Sequence, residues 1–131
     1  MKLNKSSDYA LRLLIYLAAH EGSITMPVLA TELGIPYNHL SKLIQQLSKA
    51  ELIHTRQGKN GGVKLLRAPE DISMKNVLEI VEGPIRLTDC LISASETDCK
   101  FVCHCKLKET FSVLQKKIDS MFEQVKIAQM I

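Results

Sequence analysis

The chain has 131 residues, 46% of them hydrophobic and 24% charged, with a formal net charge of +3. This length suits one compact domain, and the composition is ordinary for a globular protein; a disordered chain, a collagen-like fibre and a large multidomain enzyme are excluded. The longest apolar runs, such as Leu13 to Ala19, are too short to cross a bilayer, and no apolar stretch with a cleavage site follows Lys2 and Lys5. A cytoplasmic protein with no membrane partner is therefore expected.

Ser7 to His20 reads as a helix, because Leu11, Leu14, Ile15 and Ala18 recur at helical spacing. Ser7 or Asp8 is suited to cap its start, and Glu21-Gly22 to end it. A second helix is expected from about Pro27 to Leu33, since proline is tolerated in a first turn. Gly34-Ile35-Pro36 then makes a tight turn. A third helix follows from Tyr37 to about Ala50, with Leu40, Leu43, Ile44 and Leu47 on one face. Two short helices joined by a glycine-containing turn form the helix-turn-helix pattern, which plain helix packing can also produce.

Leu52 to Arg56 and Val63 to Leu66 read as two strands joined by the glycine-rich tip Gln57-Gly58-Lys59-Asn60-Gly61-Gly62. A hairpin directly after a helix-turn-helix is a winged helix. Its glycines let backbone approach a partner closely, and Arg56, Lys59 and Lys64 add positive charge there. A nucleotide-binding phosphate loop is the competing reading. It fails because no helix starts after Gly62 and no Lys-Ser/Thr pair follows the glycines.

Ala68 to Asp71 is a connector, and Ser73 can cap a short helix over Met74 to Glu82 that Gly83-Pro84 stops. Ile85 to Cys105 looks irregular and holds all four cysteines. From Lys106 a long helix is expected, with Leu107, Phe111, Leu114, Ile118, Met121 or Phe122, Val125 and Ala128 in steps of four and three. Such a heptad seam predicts a homodimer through this helix, with intramolecular packing as the alternative. The fold class is thus mainly α with a small β-hairpin wing: a winged helix-turn-helix over residues 1–84, a cysteine-rich loop over 85–105 and a dimerisation helix over 106–131.

Charge divides along the chain. Residues 1–68 hold nine Lys/Arg against four Asp/Glu, a balance of +5, and residues 69–131 hold eight against ten, a balance of −2. The front half has the sign of a polyanion binder, although an ordinary solvated surface can also carry it. In a helix-turn-helix the second helix enters the major groove. Its outward positions here are Tyr37, Asn38, His39, Ser41, Lys42, Gln45 and Gln46. Asn and Gln can pair bidentately with adenine, and Lys can reach guanine or phosphate. Arg56 and Lys59, with Gly61 at the wing tip, are placed to meet phosphate or the neighbouring minor groove.

The cysteines lie as Cys90-x8-Cys99-x3-Cys103-x-Cys105. Clustered cytoplasmic cysteines bind metal or sense redox state more often than they form a disulfide framework. Paired zinc knuckles are not evident, since Cys99 and Cys103 alone approach that spacing. Three spaced cysteines, Cys90, Cys99 and Cys105, suit a larger iron–sulfur cluster and leave Cys103 spare. A reversible disulfide, a zinc site or buried thiols remain open. A catalytic pair drawn from Cys103, His104 and Cys105 lacks an orienting third group, so no enzyme is expected.

The stretches Met1 to Arg12, His39 to Leu43, Arg56 to Gly62 and Glu82 to Cys90, with the later cysteines, resemble the Rrf-two (BadM) superfamily of bacterial winged-helix regulators. The resemblance covers essentially the whole chain and leans toward the iron–sulfur branch of IscR, NsrR and the SUF-operon regulators. It implies a dimeric transcription factor, usually a repressor, on a palindromic double-stranded operator, sensing redox state, nitric oxide or iron–sulfur status. Cluster-binding members hold a 2Fe–2S or 4Fe–4S cluster on three cysteines, which fall on Cys90, Cys99 and Cys105 here. Some use a histidine three residues after the third cysteine, where this chain has Lys108. Others use an aspartate near the amino terminus of the other subunit, a place held here by Asp8 with Arg12 one turn later. Cys103 or His104 can also supply the fourth ligand, and Asp8 can instead be only a helix cap. A branch resembling CymR lacks a cluster, and the cysteines here argue against it.

Overall fold

A computed structural model describes residues 2–92, 99–101 and 104–131. Among them are five α-helices: α1 (Lys5–Ala19), α2 (Met26–Leu33), α3 (Tyr37–Lys49), α4 (Met74–Glu82) and α5 (Lys106–Gln124). Two antiparallel strands, β1 (Ile53–Arg56) and β2 (Gly62–Leu65), stand between α3 and α4. Their order is that of the expected winged helix-turn-helix followed by a long C-terminal helix.

Asn4, not Ser7 or Asp8, caps α1: its side chain accepts from the Ser7 backbone N at 2.9 Å. The helix starts two residues earlier than the apolar spacing suggests because Asn4 is itself a preferred capping residue. Ala10, Leu13, Leu14 and Leu17 then fall on the buried face. Gly34 closes α2 at φ +62°, a left-handed cap that glycine adopts at little cost. This sharp turn sets α3 across α2, and α3 buries Leu40, Leu43, Ile44 and Leu47. Fully burying such a side chain contributes roughly 1.5–3 kcal/mol, so this apolar stripe decides which face of α3 looks outward.

The wing is anchored at its base. Ile24, just before α2, forms a bridge with Val63 through two backbone hydrogen bonds of 2.9 and 2.8 Å. Gly62 sits there at φ +144°, and a Cβ on it would stand 2.7 Å from the Ile24 carbonyl oxygen. Only glycine allows the two backbones this close.

Ser73 caps α4 as expected, accepting from the Asn76 backbone N at 3.1 Å. Inside the stretch read as irregular, Asp89–Leu91 forms a short 3-10 helix that packs on α5. The long helix is shorter than its seam predicts. It ends at Gln124, so Val125 caps it and Ala128 falls on a separate 3-10 turn, Ile127–Met130. Two backbone bonds draw this tail back onto the residues that precede α4: Met74 N to Val125 O at 2.8 Å and Ile127 N to Ile72 O at 2.9 Å. Ile127 is thereby 0% exposed within the winged-helix core. Burying Ile127 outweighs continuing the helical stripe.

Candidate nucleic-acid interface and cysteine site

Once the α3 stripe is buried, Tyr37, Asn38, Lys42, Gln45 and Gln46 are exposed, with Tyr37 at 55%. Ser41 is half-buried. Pro36 precedes the helix and offers no side-chain cap to its first-turn N–H groups. His39 departs from the expected outward set. It is half-buried and turned to α1, with Nε2 2.8 Å from Ser6 Oγ and its ring edge-on to Tyr9 at 5.0 Å.

The hairpin register pairs His54 with Lys64 and Arg56 with Gly62. Side chains alternate across a strand, so His54, Arg56 and Lys64 share the face opposite Val63 and Ile53, which are buried. Lys59 is exposed at the tip, where Gly58 and Asn60 both take positive φ. Gly61 is half-buried and accommodates no Cβ: one would collide with the Arg56 carbonyl oxygen. A cavity of about 210 Å³ separates the wing from α3, between Ser41 and Gln45 on one side and Arg56 and Gln57 on the other. Among the described residues, ion pairs engage Arg12, Lys75, Arg86 and Lys126, and none involves Lys42, Arg56, Lys59 or Lys64.

The cysteines occupy different settings. Cys90, in the 3-10 helix, is half-buried with Sγ 3.0 Å from Thr88 Oγ1. Cys105 caps α5, its sulfur accepting from the Lys108 backbone N at 3.4 Å. The elements bearing Cys90 and Cys105 pack on each other. Cys99 is exposed, as is His104, and Cys103 lies outside the described residues. Among the described residues no three His, Cys, Asp or Glu side chains gather as a metal group. Asp8 is exposed on the first turn of α1 and paired with Arg12 Nε at 2.9 Å.

Spacing alone gave no sign of the polar framework behind these segments. Gln115 is buried on α5; its amide accepts from Leu87 N and donates to Ile85 O, both at 2.8 Å, and reaches Asp119 at 2.9 Å. Asp119 also lies 3.7 Å from Arg86. The chain leading into Cys90 is thus clamped to α5. In the sequence, Gln115 is flanked at helical spacing by Phe111 and Ile118 on one side and by Ser112 and Asp119 on the other, a mixture that does not mark it as buried.

Residues 3–131 match the model of the Rrf2 family, described as an iron-dependent transcriptional regulator. The chain belongs to the Rrf2 family. It is therefore a DNA-binding transcription regulator, and members of this family are not enzymes. It is 39% identical over 110 residues to the HTH-type transcriptional regulator NsrR of Halalkalibacterium halodurans, covering 82% of this chain and 75% of that one. In fold it is similar to IscR of T. potens, with a TM-score of 0.77 and 23% identity over 99% of this chain and 85% of that one. It is also similar to CymR, the global cysteine regulator of B. subtilis, with a TM-score of 0.76 and 18% identity over 99% and 95% of the two chains. At these identities the two likenesses show the fold alone. No helix among the described residues is long and apolar enough to cross a membrane.

Proposed function

We propose that this Rrf2 regulator is a homodimeric, cluster-sensing repressor: α3 and the wing bind a palindromic operator, and the segment 85–105 senses iron–sulfur, redox or nitric-oxide status. The observation that carries the DNA reading is the unneutralised set Lys42, Arg56, Lys59 and Lys64 around the exposed Asn38, Gln45 and Gln46. The lysines and Arg56 hold phosphate and fix register, while the amides of Asn38, Gln45 and Gln46 and the Ser41 hydroxyl read base edges. Tyr37 stands at the helix start, and Gly61 lets the wing backbone approach the duplex. His39 acts from the inner side of the helix.

For the sensor, the donor set fits an iron–sulfur cluster by its chemistry: three thiols on one segment, one of them at a helix N-terminus that stabilises negative charge. Cys90, Cys99 and Cys105 would hold it, with Asp8 of a partner subunit as fourth ligand and Cys103 as the alternative. When bound, the cluster supplies a group that oxidation or nitric oxide alters. The chain's own part is to convert a change in segment 85–105 into a change at DNA. Gln115 and Asp119 fasten that segment to α5, whose Leu107, Leu114 and Met121 remain exposed for a second copy. A shift of α5 alters the spacing of the two recognition helices and hence half-site fit.

The test is an anaerobic absorbance spectrum with iron and acid-labile sulfide analysis, on wild type and on Cys90→Ala, Cys99→Ala and Cys105→Ala. A brown wild type and three colourless variants are expected. A colourless wild type that cannot be reconstituted would overturn the cluster reading and leave a thiol switch or zinc site.

A further inference from the structure

We infer that Ser6 and His39 are positioning residues, joining the first turn of α1 to the recognition helix so that the chain's exit toward the cysteine segment and the DNA-reading face move together. The inference rests on the reading of residues 85–105 as the sensing segment. Ser6 Oγ and His39 Nε2 share a partly buried hydrogen bond of 2.8 Å between residues 33 positions apart. The adjacent Ser7, fully buried, donates its hydroxyl to Glu82 Oε1, and the Asn4 backbone N donates to the same oxygen at 3.2 Å. Glu82 is the last residue of α4, directly before Gly83-Pro84, where the chain departs toward Cys90. One helical turn therefore touches the recognition helix on one side and the root of the cysteine segment on the other.

Two cavities border the Ser6–His39 contact, one of about 360 Å³ shared with Leu43 and Val81, the other of about 380 Å³ shared with Asn38 and Lys42. At this end the hydrogen bond and the edge-on Tyr9 ring join α3 to α1 beside Leu40, which is buried in the core. Farther along, Leu43 and Leu47 are anchored in the core. A hydrogen bond weakens steeply once its atoms part beyond about 3.5 Å, whereas apolar contacts tolerate sliding. A small shift of the Asn4–Ser7 turn therefore breaks the Ser6–His39 bond and lets the first turn of α3, with Asn38, tilt while Leu40 and Leu43 stay seated.

The experiment titrates wild type, Ser6→Ala, Ser6→Thr, His39→Phe and the Ser6→Ala/His39→Phe double variant, each anaerobically as purified and after iron chelation. The probe is one duplex that wild type selects from a random-sequence pool. Ser6 has no part in the proposed DNA contacts, and phenylalanine keeps the ring beside Tyr9 while removing Nε2. The ratio of affinities between the two forms is expected to shrink about five-fold in Ser6→Ala, the worth of one hydrogen bond. Ser6→Thr should retain the wild-type ratio, and the double variant should shrink it no further than the larger single effect. A Ser6→Ala protein with the wild-type ratio, or additive single effects, would overturn the coupling while leaving the sensor intact. Two wild-type forms of equal affinity would overturn the sensor reading and the coupling with it.

Discussion

At Gly62 one hydrogen atom decides how the wing is seated. The position combines φ +144° with an Ile24 carbonyl that a Cβ would approach to 2.7 Å, so Gly62→Ala must push backbone aside. The expected cost is about 2 kcal/mol, measurable as a lower urea midpoint with an unchanged slope. Asp8 gives the opposite expectation. It is no cap; it pairs with Arg12 in an exposed i,i+4 ion pair, worth roughly 0.3–0.5 kcal/mol. Asp8→Ala should therefore unfold almost where wild type does, while cluster loss in air becomes faster if Asp8 is the partner's ligand. A large drop in the urea midpoint would instead give Asp8 a structural role. The sequence identified Asp8 by resemblance and Gly62 by its glycine-rich company. It did not separate Asn4 from Ser7 and Asp8 as the cap, because all three are good capping residues within one turn. Nor did it show His39 turning inward, which depends on Ser6 arriving from another helix.

The elements with strong periodicity were legible: α3 buries its four expected apolar residues, and Ser73 caps α4 as expected. Residues beyond Gln124 were not, since their apolar spacing also fits a continuing helix. What ends α5 is a tertiary event, the pairing of Lys126 with Ser73 and the burial of Ile127 beside α1. Ile127→Ala is therefore expected to destabilise the winged helix by about 2–5 kcal/mol, with the loss seen in thermal unfolding followed by far-ultraviolet circular dichroism. A midpoint equal to wild type would mean that the tail is not part of this core. The Gln115 clamp was illegible for a related reason: a heptad count ranks a glutamine as polar and outward, yet its amide pairs with backbone groups of the half-buried Ile85 and Leu87.

Across the whole molecule, α5 presents two unlike flanks. Phe111, Ile118 and Phe122 are half-buried, whereas Leu107, Leu114 and Met121, each seven residues from the next, are 58%, 43% and 65% exposed. Half of the predicted seam thus leans on the protein's own chain, and half is exposed and is the face proposed for a second copy. Leu114→Arg should convert a dimer into a monomer in sedimentation analysis without unfolding the winged helix; a monomeric wild type would remove the dimer from the account. Under the proposed function, this regulator binds its operator differently in two states of the cysteine segment. This difference is tested most directly by titrating a single anaerobic preparation against its selected operator before and after iron removal, at one fixed salt concentration. Affinities at least about ten-fold apart are expected, a coupling on the order of 1.4 kcal/mol. Equal affinities from a protein that carries iron and binds the operator would contradict it.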